Sequence, residues 1–298
     1  MKFPTSWTAQ ETMRKCPRRF YYRYRAEDPT EQLKALKKLT SVRELGGQVI
    51  HGVLADGVRH VASGGRISDL VDAPAQALNR FGLVVEQSRR MAAGELHGDQ
   101  QLAEIFNGIE CSSEIADWEV KIPLAVENGL RLMHYFNLRS NREGYTLEAE
   151  TRGSFIHRGK ERRFVIDVLI QDGINTKVID WKTHSITDSD REQVALYQHY
   201  LLGSRHIPPT RLYGFAVDLL HEQVDEHHYR KIEHTFASSQ SGYRPVVWPG
   251  RKESVASPDP AEAYPARPSP EACGICAFST VCSDSALKVP VMEVNCEQ

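Results

Sequence analysis

Residues 164–197 read FVIDVLIQDGINTKVIDWKTHSITDSDREQVALY, and their reading decides the fold. Two β-branched, apolar runs, Phe164–Ile170 and Lys177–Lys182, flank the turn signal Gln171-Asp172-Gly173. This is the pattern of two strands joined as a hairpin. Each run carries an aspartate, Asp167 in the first and Asp180 in the second. An acid inside an apolar strand is costly unless something compensates it. Two such acids on neighbouring strands, with Lys182 beside one, point to a divalent cation between them. Asp180 and Lys182 stand at i and i+2, so they share one face of a strand. A helix follows, predicted over 188–203 with Asp188 or Ser189 as its cap, Glu192 completing a capping box and its end near Gly203. Gln193 and Tyr197, four apart, share a face of it.

Outward from this stretch, strands begin near Tyr145, and a charged turn is expected at Arg158–Arg163. Another strand is expected over 210–217 and a polar one over about 224–234. The order of three strands, a helix and two strands is that of a mixed α/β core. Residues 31–62 and 74–140 carry helical periodicity. The sequence therefore divides into an N-terminal segment (1–43), a helical subdomain (44–142), the core (143–243) and a Pro-rich connector with a cysteine cluster (244–298). Seven of the fifteen prolines fall between 244 and 271.

The chain has 298 residues, 41% of them hydrophobic and 26% charged, the balance of an ordinary globular protein. No apolar run approaches the roughly 18–20 residues that span a bilayer. The first twenty residues carry no apolar signal core, so a cytoplasmic location and no membrane partner are expected. The formal net charge of -2 gives no overall attraction to polyanions. Locally, residues 1–43 hold eleven Lys and Arg against four Asp and Glu. Arg18, Arg19, Arg23 and Arg25 alternate there with Phe20, Tyr21, Tyr22 and Tyr24. That mixture suits a nucleic-acid backbone and its bases, and equally an amphipathic helix with its aromatics packed inward. The histidine-rich stretch 227–234 reads as a charged sheet edge.

Six cysteines do not make a disulfide framework in such a chain. Cys273, Cys276 and Cys282 cluster in CGICAFSTVC, while Cys16, Cys111 and Cys296 stand apart. Four thiolates suit zinc or an iron–sulfur cluster alike. His51 lies inside an apolar helical pattern, Leu45–Leu54, where a lone histidine is more often a core residue than a ligand.

Together these pieces resemble the PD-(D/E)xK nucleases, and within them the RecB-like branch carrying an iron–sulfur cluster, as in CRISPR-associated RecB-like exonucleases and the AddB nuclease domain. The resemblance implies a restriction-endonuclease-like core and a Mg²⁺- or Mn²⁺-dependent DNA exonuclease. His51, Asp167, Asp180 and the Trp181 carbonyl would hold the metal. Asp167, Asp180, Lys182, Gln193 and Tyr197 would form the catalytic set, with Glu150 a further acid. Phe164 stands where this family usually has glycine. The resemblance also implies that Cys16, Cys273, Cys276 and Cys282 hold a 4Fe-4S cluster that clasps the two chain ends. DNA, single-stranded by preference, would be the substrate, and a helicase, recombination or CRISPR-adaptation protein a partner. The alternative is a non-catalytic DNA-binding module of such an assembly.

Overall fold

The computed structural model describes residues 6–26, 30–96, 101–157, 160–228 and 263–287. Its helices are α1 (Trp7–Lys15), α2 (Pro17–Phe20), α3 (Glu31–Leu36), α4 (Val42–Ala62), α5 (Ala73–Ala92), α6 (Ala103–Phe106), α7 (Ser112–Tyr135), α8 (Asp188–Arg205) and α9 (Pro270–Gly274). Its strands are β1 (Tyr145–His157), β2 (Lys160–Asp172), β3 (Asn175–Lys182), β4 (Leu212–Asp218) and β5 (Gln223–His228). The chain divides into two compact units. One comprises 1–7, 46–81 and 116–245; the other comprises 8–45, 82–115 and 246–298.

Among its described residues, the first unit holds a five-stranded sheet in the order β1-β2-β3-β4-β5. All neighbours are antiparallel except β3 and β4, which run parallel. A parallel pair needs a crossover, and α8 supplies it. The expected order of three strands, a helix and two strands is the one observed. Gly173, at φ +57°, turns the β2–β3 hairpin between the paired residues Asp172 and Asn175.

One sheet face packs on α8 through Ile166, Val178, Tyr197, Leu201 and Leu212. Gly214 makes close packing possible: a Cβ there would lie 2.4 Å from Val194 Cγ1. On the other side, Phe136, just after α7, stacks edge-on to Trp181 and Phe215. Asn128 Nδ2 of α7 donates to the Leu219 carbonyl at 2.7 Å. Helix α4 approaches α7 closely, since a Cβ on Gly129 would meet the Leu54 side chain at 2.6 Å. Phe164 covers its cross-strand partner Gly153 and packs on Tyr197 and Tyr200. An aromatic laid over a strand glycine restores the contact surface that glycine lacks.

Several local expectations are corrected. Residues 160–163 belong to β2 rather than to a turn, because they pair with Ser154–His157 of β1. Helix α8 is capped by Thr187 with Asp190 as its reciprocal partner, and neither Asp188, Ser189 nor Glu192 takes that part. It runs past Gly203 and ends at His206, which adopts the left-handed conformation. Residues 209–211 form a short 3₁₀ turn before β4. The expected strand residues beyond His228, most of the 244–271 connector, and Cys296 lie outside the described residues.

In the second unit, residues 8–45, 82–115 and the C-terminal segment pack together. Phe20 is buried with Met13 and Tyr264, and Tyr21 and Tyr24 join them. Tyr22 stacks on Phe278, and its hydroxyl donates to the Val281 carbonyl at 3.2 Å. Of the two readings of the Arg/aromatic stretch, inward packing is therefore what these rings do. Arg18 is also engaged, with Nε 2.9 Å from the Tyr264 carbonyl and an ion pair to Asp284. Arg19 pairs with Glu44, and Arg25 with the Tyr264 hydroxyl.

Candidate active site

The two strand acids sit where the sheet's ladders come apart. Pairing between β2 and β3 stops at Val168↔Ile179, one residue short of placing Asp167 opposite Asp180. On the other side, the β1–β2 ladder skips Glu150 opposite Asp167, and Glu150 has φ +50°. Left-handed backbone at a non-glycine residue in a strand is uncommon and marks a local distortion. Asp167 thus lies at a gap in both ladders. Its side chain fills the gap on one side: Oδ2 accepts the Trp181 amide at 2.7 Å. Its other oxygen, Oδ1, is 3.3 Å from His51 Nδ1. His51 projects from α4, so the structure brings the distant histidine to the hairpin.

Asp180 and Lys182 share a face, as their spacing requires. Lys182 Nζ lies 2.7 Å from Asp180 Oδ2 and donates to Gln193 Oε1 at 2.8 Å. Gln193 Nε2 donates to the Tyr197 hydroxyl, and that hydroxyl donates to Asp180 Oδ1 at 3.5 Å. The four side chains close a ring. Gln193 and Tyr197 therefore orient the acid and the lysine, with Tyr197 itself buried. Asp190 adds a second carboxylate, 3.4 Å from Lys182 Nζ. Sequence reading missed it, although its position one turn before Gln193 was a usable signal. Glu150 is not brought into the ring, since its carboxylate pairs with Arg59.

The electrostatics follow from burial. Desolvation pushes the Asp180 carboxyl up to about 6, Asp167 adds to this, and Lys182 opposes it. Burial pulls Lys182 down, but Asp180 and the other two acids outweigh it and leave the ammonium above its ordinary value. His51 is likewise depressed by burial and lifted on balance by Asp167 and Asp180. Tyr197 is raised well above its ordinary value, first by burial and then by the two aspartates.

Whether these residues fit a divalent cation turns on one atom. Asp180 Oδ2 is buried and, among the described residues, faces the Lys182 ammonium at 2.7 Å and no other donor. A buried carboxylate oxygen with spare lone pairs beside a second carboxylate and an imidazole is a hard-donor set. Among the described residues, no three His, Cys, Asp or Glu side chains are grouped to hold a metal by themselves. Magnesium commonly takes one or two protein carboxylates and completes its shell with water and substrate phosphate, so two acids suffice.

Among the described residues, no three of the cysteines are grouped to hold a metal ion. Burial pushes the Cys276 and Cys282 thiols up, against backbone hydrogen bonds and the nearby Arg19 and Arg18 that lower them. The Ala286 amide donates to Cys273 Sγ at 3.4 Å. Asn107, in a region where the sequence showed no motif, donates to the Gly274 and Cys276 carbonyls at 3.1 and 3.2 Å. Cys111 is buried.

A mixed sheet with a β3–α8–β4 crossover, carrying paired acids and a lysine at the hairpin's open end, defines the class: a nuclease core of the restriction-endonuclease kind. The sequence profile of the PD-(D/E)XK nuclease superfamily matches residues 4–283, and the chain belongs to that superfamily. Comparison with curated proteins finds no match. No helix among the described residues is long and apolar enough to cross a membrane.

Proposed function

We propose that the chain is a divalent-metal-dependent DNA exonuclease of the RecB-like, iron–sulfur type, acting on single-stranded or end-exposed DNA. The observation that carries this reading is the closed ring Asp180–Lys182–Gln193–Tyr197 beside the Asp167–His51 pair. Asp167, Asp180, His51 and the Trp181 carbonyl would hold Mg²⁺ or Mn²⁺. When bound, such an ion polarises the scissile phosphate and lowers the pKa of an attacking water. Lys182, held in one orientation, stabilises negative charge developing on the phosphate. Gln193 and Tyr197 fix Lys182 and Asp180 before substrate arrives, so no reorganisation is needed during the reaction. Cys16, Cys273, Cys276 and Cys282 would hold a 4Fe-4S cluster, which supplies a cross-link between the N- and C-terminal segments. Work with a helicase, recombination or CRISPR-adaptation protein fits an end-degrading enzyme with no Walker A sequence of its own.

The test is digestion of labelled single-stranded DNA, blocked at either end, with Mg²⁺ or Mn²⁺. Asp180→Ala and Lys182→Ala are each expected to lower the rate at least about 100-fold. Wild-type rates in either variant would overturn the site. A protein that binds DNA but cuts none with any divalent metal would favour the non-catalytic module instead.

A further inference from the structure

Asp190 divides its carboxylate between two tasks. Its Oδ2 accepts from the Thr187 amide at 2.8 Å and the Thr187 hydroxyl at 2.6 Å, which is ordinary helix capping. Its Oδ1 instead faces Lys182 Nζ at 3.4 Å. The side chain is 8% exposed. His184 Nδ1 lies 3.8 Å from Asp190 Oδ2 and is largely exposed. Capping uses one oxygen and does not require a second one buried against an ammonium. We propose that Asp190 is a positioning residue for Lys182, a role resting on the nuclease reading of this site. An ammonium has three N–H donors, and Asp180, Gln193 and Asp190 are three acceptors around it. Of the three, Asp180 is the one whose charge a bound cation would share. Asp190 then remains as the carboxylate that balances Lys182 and, with Gln193, keeps its Nζ aimed.

Three variants separate aiming from capping. Asp190→Asn keeps an acceptor for Thr187 and removes the charge facing Lys182. Asp190→Glu keeps the charge and a favoured capping-box residue. Thr187→Val weakens the cap and leaves the carboxylate in place. Lysine labelled at ¹³Cε and ¹⁵Nζ, with the Lys182 signal assigned by its loss in Lys182→Arg, reports the order of that side chain without reference to activity. Asp190→Asn is expected to lower kcat about 10- to 100-fold, as small misplacements of a reacting group do. DNA affinity should stay within about twofold, and the Lys182 signal should become mobile. Asp190→Glu is expected to recover most of kcat, and Thr187→Val to lower Tm while kcat stays within about threefold. If Asp190→Asn leaves kcat and Lys182 order unchanged, or if Thr187→Val matches its loss of kcat, Asp190 is a cap only and the proposal fails. If the wild type cuts nothing but Asp190→Asn still frees Lys182, the nuclease reading fails and the positioning role stands.

Discussion

Asp180 is 2% exposed, and its carboxyl titrates near 6 against 3.8 for the free side chain. A carboxyl whose pKa is higher folded than unfolded binds its proton more tightly when folded. Its contribution to stability is complete below about 3.8 and is lost as the pH rises through about 6. At neutral pH and without a divalent ion, ionising Asp180 therefore costs stability that the raised Lys182 offsets in part. Asp180→Asn is expected to raise stability at pH 7 by about 1–3 kcal/mol and to flatten the pH dependence between 4 and 7. Thermal melts of the metal-free proteins across that range check it; a destabilised Asp180→Asn would mean the Lys182 ion pair outweighs the burial cost. Much of this site was legible at the residue scale. The i, i+2 spacing of Asp180 and Lys182 shows in the sequence because a strand has period two. His51 and Asp167, in contact here, are 116 residues apart, and only the family pattern singled His51 out. The one-turn spacing of Asp190 and Gln193 was readable, but that Asp190 faces Lys182, on another element, was not.

At the scale of elements, the site depends on how closely α8 lies against β4. Gly214 leaves room for Val194 and Gln198, and a Cβ there would come within 2.4 Å of one and 2.8 Å of the other. Gln198 Nε2 also donates to the Leu212 and His227 carbonyls, at 3.4 and 3.0 Å, so displacing it breaks bonds across two strands. Gly214→Ala is expected to cost about 1–3 kcal/mol by overpacking. It should also lower nuclease rate, because α8 carries Gln193 and Tyr197. Denaturant titration and the digestion assay check both effects; an unchanged midpoint would mean α8 can shift freely. The hairpin, the crossover helix and the following strands were all legible, since periodicity and turn residues are local. The caps were not. Thr187, Asp188 and Ser189 are neighbouring residues of cap-forming type, and the structure starts the helix at Thr187, with Asp190 as its reciprocal partner.

At the scale of the molecule, the sequence reading joined the chain ends through four cysteines alone, whereas the structure shows a protein scaffold around the C-terminal cysteines. Asn107 gives its amide to the Gly274 and Cys276 carbonyls and accepts from Ser279 Oγ at 2.9 Å. It is 5% exposed, and Phe278 is fully buried nearby in a cluster with Leu36, Leu39 and Ala103. Nothing in the residues around Asn107 marks it, because its partners come from a segment 167 to 172 positions later. Asn107→Ala would leave two carbonyls and a hydroxyl without their partner, at a cost of about 1–3 kcal/mol for each buried group left unmade. The expected outcome is a lowered Tm and, on the iron–sulfur proposal, reduced iron per chain after anaerobic purification, because the released carbonyls belong to Cys276 and to Gly274 beside Cys273. Cys276→Ser should lose iron as well, yet keep the aromatic packing of Tyr22 on Phe278 that near-ultraviolet circular dichroism reports. If Asn107→Ala retains full iron and Tm, the cysteine segment is held by its other contacts, Arg18 to Tyr264 and Asp284 foremost, and the double variant with Arg18→Ala becomes the decisive measurement.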